Sequence, residues 1–147
     1  MFVKRMLPVA RNRLVRIRDD APLIEAATHL RDLDSDLVVV CNSDGLLAGV
    51  ITKTDVVRQI SRCSGAACMT AALSVMTRTV VLCRPDDSLN EVWSVMKERH
   101  LKHMPIVDQD VRPLGVLNAR DALEALLEEV EYEGELLRDY VMCVGYR

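Results

Sequence analysis

Two carboxylates stand out by the company they keep. Asp55 closes the run Gly49-Val50-Ile51-Thr52-Lys53-Thr54-Asp55, and Asp121 closes Gly115-Val116-Leu117-Asn118-Ala119-Arg120-Asp121. In each run an apolar, strand-like stretch ends on a hydrogen-bonding side chain, Thr52 or Asn118, and the acid follows three residues later. A helix starting there offers free backbone N–H groups and the positive end of its dipole, a combination that receives phosphate. Thr52 can donate a hydroxyl hydrogen bond at that point, and Lys53 or Arg120 can add positive charge. A plainer need is met by the same residues. Thr52 to Asp55 is a capping box, and Asn118 is a good N-cap with Asp121 in the first helical turn. Both readings stay open on spacing alone, and Lys53 and Arg120 taken singly read first as solvated surface charges.

Other chemistry is thinly represented. His100 and His103 lie three residues apart, but no third ligand stands near enough to suggest a metal site. The five cysteines, Cys41, Cys63, Cys68, Cys83 and Cys143, are odd in number and form no CxxC pair. That pattern argues for reduced thiols used as small apolar side chains, and so for the cytoplasm. Neither a Gly-rich phosphate loop nor a nucleophile elbow is present, so no enzyme activity and no catalytic cofactor are expected.

Composition narrows the class further. The chain has 147 residues, half of them apolar, with 19 Lys and Arg against 22 Asp and Glu for a net charge of −3. Mild acidity gives no basic field for nucleic acid, and with only Phe2, Trp93, Tyr132, Tyr140 and Tyr146 there is little for bases to stack on. Lys4, Arg5, Pro8 and Arg11 break up the N-terminal apolar stretch, and no run approaches the roughly 18 to 20 apolar residues of a membrane span. No membrane partner is expected. The basic start and an acidic stretch from Asp121 to Asp139 nearly cancel, and the acidic end could face the N-terminal arm or simply be solvated.

The elements that must position the carboxylates are written twice. Shifting the chain by 66 residues aligns 14–62 with 80–128 without a gap. Identities fall on punctuating positions: Arg18/Arg84, Asp20/Asp86, Leu23/Leu89, Glu25/Glu91, Gly49/Gly115, Val50/Val116 and Asp55/Asp121. Each copy predicts a short strand (Leu14 to Ile17; Val80 to Cys83) and a helix with Leu23, Ala26, Ala27 and Leu30, or Leu89, Val92, Trp93 and Met96, on its inner face. A hairpin follows (Leu37 to Val40 with Leu46 to Ile51; Met104 to Val107 with Leu114 to Leu117). A last helix puts Val56, Val57 and Ile60, or Ala122, Leu123, Leu126 and Leu127, at core spacing. A unit of about fifty residues is marginal alone, so two should pack together. The expected fold is therefore mixed α/β, of the α+β kind: two β-α-β-β-α repeats, 3–63 and 80–130, in a pseudo-two-fold pair. A linker at 64–79 joins them, and a C-terminal extension covers 131–147.

These motifs closely resemble CBS domains, and their tandem arrangement resembles the CBS pair or Bateman module. The resemblance covers roughly residues 3 to 130 and rests on the two Gly…Asp runs and on His103-Met104-Pro105-Ile106-Val107-Asp108. Val3-Lys4-Arg5-Met6 and Leu73-Ser74-Val75-Met76 resemble the segments that lead into such repeats. It implies a stand-alone regulatory module that dimerises, takes an adenosine-containing ligand (AMP, ADP, ATP or S-adenosylmethionine) in the cleft between repeats, and biases an unknown effector protein. In that frame Asp55 and Asp121 would each accept from a ribose diol, with Thr52, Lys53, Asn118 and Arg120 near phosphate. Strand residues Val38, Val39, Met104 and Pro105 would hold adenine, with His103 at the cleft. Copy two departs from the family pattern, because Asn118 stands where Thr or Ser is usual. The alternative is a dimerisation or protein-interaction module that works without ligand.

Overall fold

The computed structural model describes residues 1–31, 36–62 and 69–145, with side chains described to residue 134. A 3-10 turn, Val3–Met6, runs into helix α1 (Leu7–Arg13), which Pro8 suits at its first turn. The first repeat then gives β1 (Arg16–Arg18), α2 (Leu23–Leu30), β2 (Leu37–Cys41), β3 (Leu47–Thr52) and α3 (Lys53–Arg62). After the short α4 (Ala72–Val75), the second repeat gives α5 (Leu89–Glu98), β4 (His103–Val107), β5 (Pro113–Asn118) and α6 (Ala119–Gly145).

The two sheets differ by one strand. In repeat one, β1 lies parallel to β2 and β2 antiparallel to β3. In repeat two, β4 and β5 pair in the same register, but the strand expected at Val80 to Cys83 reduces to a single parallel bridge between Cys83 and Ile106. The cause is one residue. The Val39 amide donates to the Val15 carbonyl at 2.8 Å, whereas the repeat-two counterpart of Val39 is Pro105, which has no N–H to offer Val81.

Three apolar clusters hold the chain together. Ile17, Leu23, Ala26, Leu30, Val38, Val40 and Ile51 form the core of repeat one. Leu89, Val92, Met96, Met104, Ile106, Leu117 and Ala122 form that of repeat two. Between them Leu37, Val39, Cys41 and Val50 meet Val116, with Leu14 and Val80 packed alongside. β2 is thus buried on both faces, one toward its own core and one toward the seam.

Each lead-in segment packs on the repeat it does not precede in the repeated unit. α1 lies against β5 of repeat two, and Val3, Met6 and Ala10 enter that repeat's core. Met76 and Thr77, just before repeat two, lie against β3, with Val50 and Thr77 exchanging backbone hydrogen bonds of 3.0 and 2.8 Å. These crossings explain the two motif glycines. A Cβ on Gly49 would sit 2.7 Å from the Thr77 carbonyl oxygen, and one on Gly115 would sit 2.8 Å from Ala10.

Several expectations are corrected. Val57 and Ile60 of α3 and Leu127 of α6 are more than half exposed, and Leu123 is exposed as well. The inner sides of these helices are covered by Val56, Ala122 and Leu126, so the apolar stripe is wider than the core needs. Ala27 is only partly buried. The tail beyond Val130 is no separate element: α6 continues through it to Gly145. Before the tail, one acid of α6 approaches the N-terminus: the Met1 amino group lies 4.0 Å from Glu129.

Candidate functional site

A cleft of about 530 Å³ opens between the repeats, at the N-terminus of α3. Repeat one supplies Thr52, Lys53, Thr54 and Asp55 from the β3–α3 junction and Leu37 and Val50 from its hairpin. The lead-in of repeat two supplies Thr77, Thr79, Val80 and Val81, and the turn after α5 with the start of β4 supplies His100, Lys102, His103 and Pro105. The volume falls within the ~300–1,000 Å³ range of small-molecule sites.

Asp55 is the anchor of this cleft. It is 7% exposed, and its carboxylate accepts from the Thr52 backbone N–H at 3.0 Å and the Thr52 hydroxyl at 3.2 Å. The Thr77 hydroxyl donates to the same group, at 3.2 Å to one oxygen and 3.3 Å to the other, and Arg58 lies 3.5 Å away. The Asp55 N–H reaches back to the Thr52 hydroxyl oxygen at 3.5 Å, so the capping box exists as drawn from the sequence. Capping does not exhaust the residue, because the Thr77 bond comes from the other repeat's lead-in and ties the cleft walls together.

Positive charge gathers around that carboxylate. Lys53 pairs with Asp36 at 3.1 Å, and this bond holds the Asp36 carboxyl below its ordinary range. Lys102, His100 and His103 line the opposite wall. His100 has φ of 56°, the left-handed position after α5 that glycine usually takes. Burial pushes the His103 pKa down, with Asp36 and Asp121 opposing and Arg13 and Lys102 adding to the fall.

The equivalent position in repeat two is built differently. Asn118 caps α6 through its Oδ1, which accepts from the Arg120 N–H at 2.9 Å and the Asp121 N–H at 3.2 Å. Its Nδ2 lies 3.0 Å from His103 Nε2. Asp121 is taken by Arg13: Nε donates at 2.7 Å to one carboxylate oxygen and Nη2 at 3.2 Å to the other. Arg120 is exposed and faces Glu124 at 3.8 Å.

Of the residues singled out from sequence, Thr52, Lys53, Asp55, His103 and Pro105 therefore line one cleft. Asn118, Arg120 and Asp121 stand at the pseudo-equivalent position, apart from it. Val38 and Met104 point into the two cores, and Val39 into the seam, so none of these three lines the cleft. Thr77, Thr79, Lys102 and Arg13 were missed. The 66-residue offset was the available signal for Thr79 and Arg13, since it sets one opposite the other.

Cys41 and Cys83 are buried with free thiols. Burial pushes the Cys83 thiol up to about 12, with Asp87 adding to it, and raises Cys41 as well, which keeps both in the unreactive protonated form. Cys63 and Cys68 lie outside the described residues, as does the Cys143 side chain. Among the described residues no three His, Cys, Asp or Glu side chains gather as a metal set, and no helix is long and apolar enough to cross a membrane.

A duplicated β-α-β-β-α unit, with a cleft between copies and an acid closing each Gly-to-Asp run, defines a class of regulatory modules. The family model for the CBS domain matches this chain twice, over residues 4–62 and 72–128. The chain belongs to the CBS domain family as a tandem pair. Its fold superposes on the CBS-domain-containing protein of Agrobacterium tumefaciens with a TM-score of 0.71 at 25% identity, covering 85% of this chain and 98% of that one. A CBS domain pair solved in complex with 5′-methylthioadenosine and S-adenosyl-L-methionine matches with a TM-score of 0.69 at 19% identity, covering 88% of this chain and 97% of that one. An uncharacterised protein of Methanocaldococcus jannaschii is 22% identical over 112 residues, 76% of this chain. The chain spans 26% of that relative's length.

Proposed function

We propose that this CBS pair is a regulatory sensor of an adenosine-containing ligand, held in the cleft at Asp55. The observation that carries the reading is the joining of Thr52, Asp55, Thr77 and the N-terminus of α3 in one concavity between the repeats. A ribose diol can donate to a carboxylate, and the Thr52 and Thr77 hydroxyls can turn from Asp55 to phosphate oxygens. Lys53 and Lys102 favour the phosphorylated members, AMP, ADP or ATP, over the cationic S-adenosylmethionine. The CBS pair solved with 5′-methylthioadenosine and S-adenosyl-L-methionine supports adenosine as the common core. Aliphatic contacts from Leu37, Val50, Val80 and Pro105 take the place of ring stacking in a chain so poor in aromatics.

Binding would bias an effector protein rather than drive a reaction. The exposed stripes Val57 and Ile60 on α3, and Leu123, Leu127 and Val130 on α6, suit a homodimer. Buried thiols at Cys41 and Cys83 suit the reducing cytoplasm.

The test is a thermal-shift titration with AMP, ADP, ATP and S-adenosylmethionine. At one hundred times Kd a ligand adds about 2.7 kcal/mol, which raises the melting temperature by several degrees. Asp55→Ala should remove that gain. A flat response to all four at millimolar concentration sinks the ligand reading. It would favour the second one, an interaction module without ligand, for which the full engagement of both Asp55 and Asp121 by the chain itself is the specific support.

A further inference from the structure

The two pseudo-equivalent positions have been driven apart by one residue. At the cleft, Asp55 is met by the Thr52 and Thr77 hydroxyls, with Arg58 of its own helix 3.5 Å away in a single contact, and Thr79 lines the wall beside an open volume. The 66-residue offset carries Thr79 onto Arg13. Arg13 ends α1, and α1 is fixed on β5 by the close approach of Ala10 to Gly115, 2.8 Å from where a Cβ would stand. The guanidinium is therefore delivered to Asp121 by a helix with little freedom to retreat. It meets the carboxylate in a two-pronged pair, 2.7 and 3.2 Å, with side chains 31% and 18% exposed. A planar guanidinium donating two N–H bonds to one carboxylate satisfies it in the way two neighbouring hydroxyls would.

The remaining differences point the same way. Lys102 and His103 correspond to Asp36 and Leu37, and all four line the open cleft, where Asp36 is paired with Lys53 at 3.1 Å. Asn118 spends its Oδ1 on the α6 cap and its Nδ2 on His103.

We infer that Arg13 is a built-in lock: it occupies Asp121 in place of a ligand, so that the pair takes up one adenosine-type ligand per chain, at Asp55 alone. This rests on the ligand reading of the Asp55 cleft given above. Substituting Arg13 frees Asp121 for a diol, the part of the ligand that an uncharged nucleoside shares with the nucleotides.

Equilibrium dialysis of the full chain with radiolabelled adenosine tests this. Wild type should bind one equivalent, Asp55→Ala none, Arg13→Met two, and Arg13→Met with Asp55→Ala one. Arg13→Met keeps an unbranched apolar stem, and Arg13→Gln serves as a second variant, with melting curves confirming that each is folded. Two equivalents in wild type overturn the lock. So does a count of one in both folded Arg13 variants. Uptake by the Arg13→Met, Asp55→Ala protein with none by wild type overturns the cleft reading while upholding the lock. No uptake by any of the four overturns both.

Discussion

The side-chain amide nitrogen of Asn118 lies 3.0 Å from Nε2 of His103, joining the last residue of β5 to the first of β4. The orientation of the amide is fixed by its other end, because Asn118 Oδ1 accepts the two cap N–H bonds of α6. Nδ2 can only donate, so His103 Nε2 accepts and the ring is neutral with its proton on Nδ1. Burial holds the folded-state pKa of His103 below its ordinary 6.5, with Asp36 and Asp121 opposing and Arg13 and Lys102 adding to the fall. Between the folded and unfolded values the unfolded chain binds a proton that the folded chain does not. The stability contributed by neutral His103 is thus fully present above about pH 6.5 and is lost as pH falls below it. The melting temperature of wild type should drop between pH 7.5 and 5.5 by more than that of His103→Gln. An equal drop in both proteins would show that His103 is not held neutral.

Gly49 and Gly115 predict a matched pair of packing defects. Each faces backbone of the crossing lead-in segment: Thr77 O at 2.7 Å for Gly49, and the Ala10 carbonyl carbon at 2.8 Å for Gly115. Backbone cannot swing aside as a side-chain tip can. Gly49→Ala and Gly115→Ala should each cost about 1–3 kcal/mol, read as a lower urea midpoint. Gly45→Ala acts by another route: nothing lies within 4 Å of its Cβ position, but φ is 79°, so its cost is backbone strain of roughly 1 kcal/mol. If Gly49→Ala is neutral, the lead-in does not cross at that distance.

Asp55 has a structural role separable from any ligand. Thr52 and Thr77 both depend on its carboxylate, so Asp55→Ala loses a cap and leaves three donors short. The expected loss is about 1–3 kcal/mol without ligand present. Asp55→Ala, Thr77→Val and the double variant form a cycle, with a coupling of at least about 0.5 kcal/mol expected from urea unfolding. Strict additivity would mean that the Thr77 bond across the repeats contributes nothing.

How much of this was legible beforehand follows from the range of each signal. The duplication, the hairpins and the Thr52–Asp55 capping box are local patterns, and all three stand in the structure. The parity of β2 was not legible. Leu37-Val38-Val39-Val40-Cys41 is buried throughout, so no polar alternation tells which residues face the seam and which the core. Val38 and Val39 were accordingly assigned to the cleft when Leu37 and Val50 line it. Val57 and Ile60 were read as core because period shows that a stripe is apolar, not that anything covers it. The Arg13–Asp121 pair spans 108 positions and depends on how α1 crosses β5, which no local pattern carries.

Charge at the cleft separates ligands that share adenosine. Lys102 lines the wall opposite Asp55, and Lys53 is shared with Asp36 at 3.1 Å. A direct bond from a lysine to phosphate is worth about 1.5–3 kcal/mol, so Lys102→Met should weaken ATP at least tenfold and leave adenosine within twofold. Raising salt should narrow the same gap. Equal losses for both ligands in calorimetric titrations would place Lys102 away from the phosphates.

The apolar stripes on α3 and α6 carry the last expectation. Val57 is 65% exposed, Ile60 60%, Leu127 52% and Val130 64%, and their helices leave the β-hairpins at corresponding points of the two repeats. Pseudo-two-fold repetition therefore sets two similar apolar ridges on one molecule, and an isologous dimer would bury them against the same patch of a second copy. A monomer would leave both in water, whereas pairing removes them together. Val57→Glu or Leu127→Glu would then place charge in the interface without disturbing a core residue. Sedimentation should give a dimer for wild type and a monomer for each variant, with melting in the monomers becoming independent of protein concentration. A wild-type chain that sediments as a monomer at tens of micromolar would exclude a homodimer on this face.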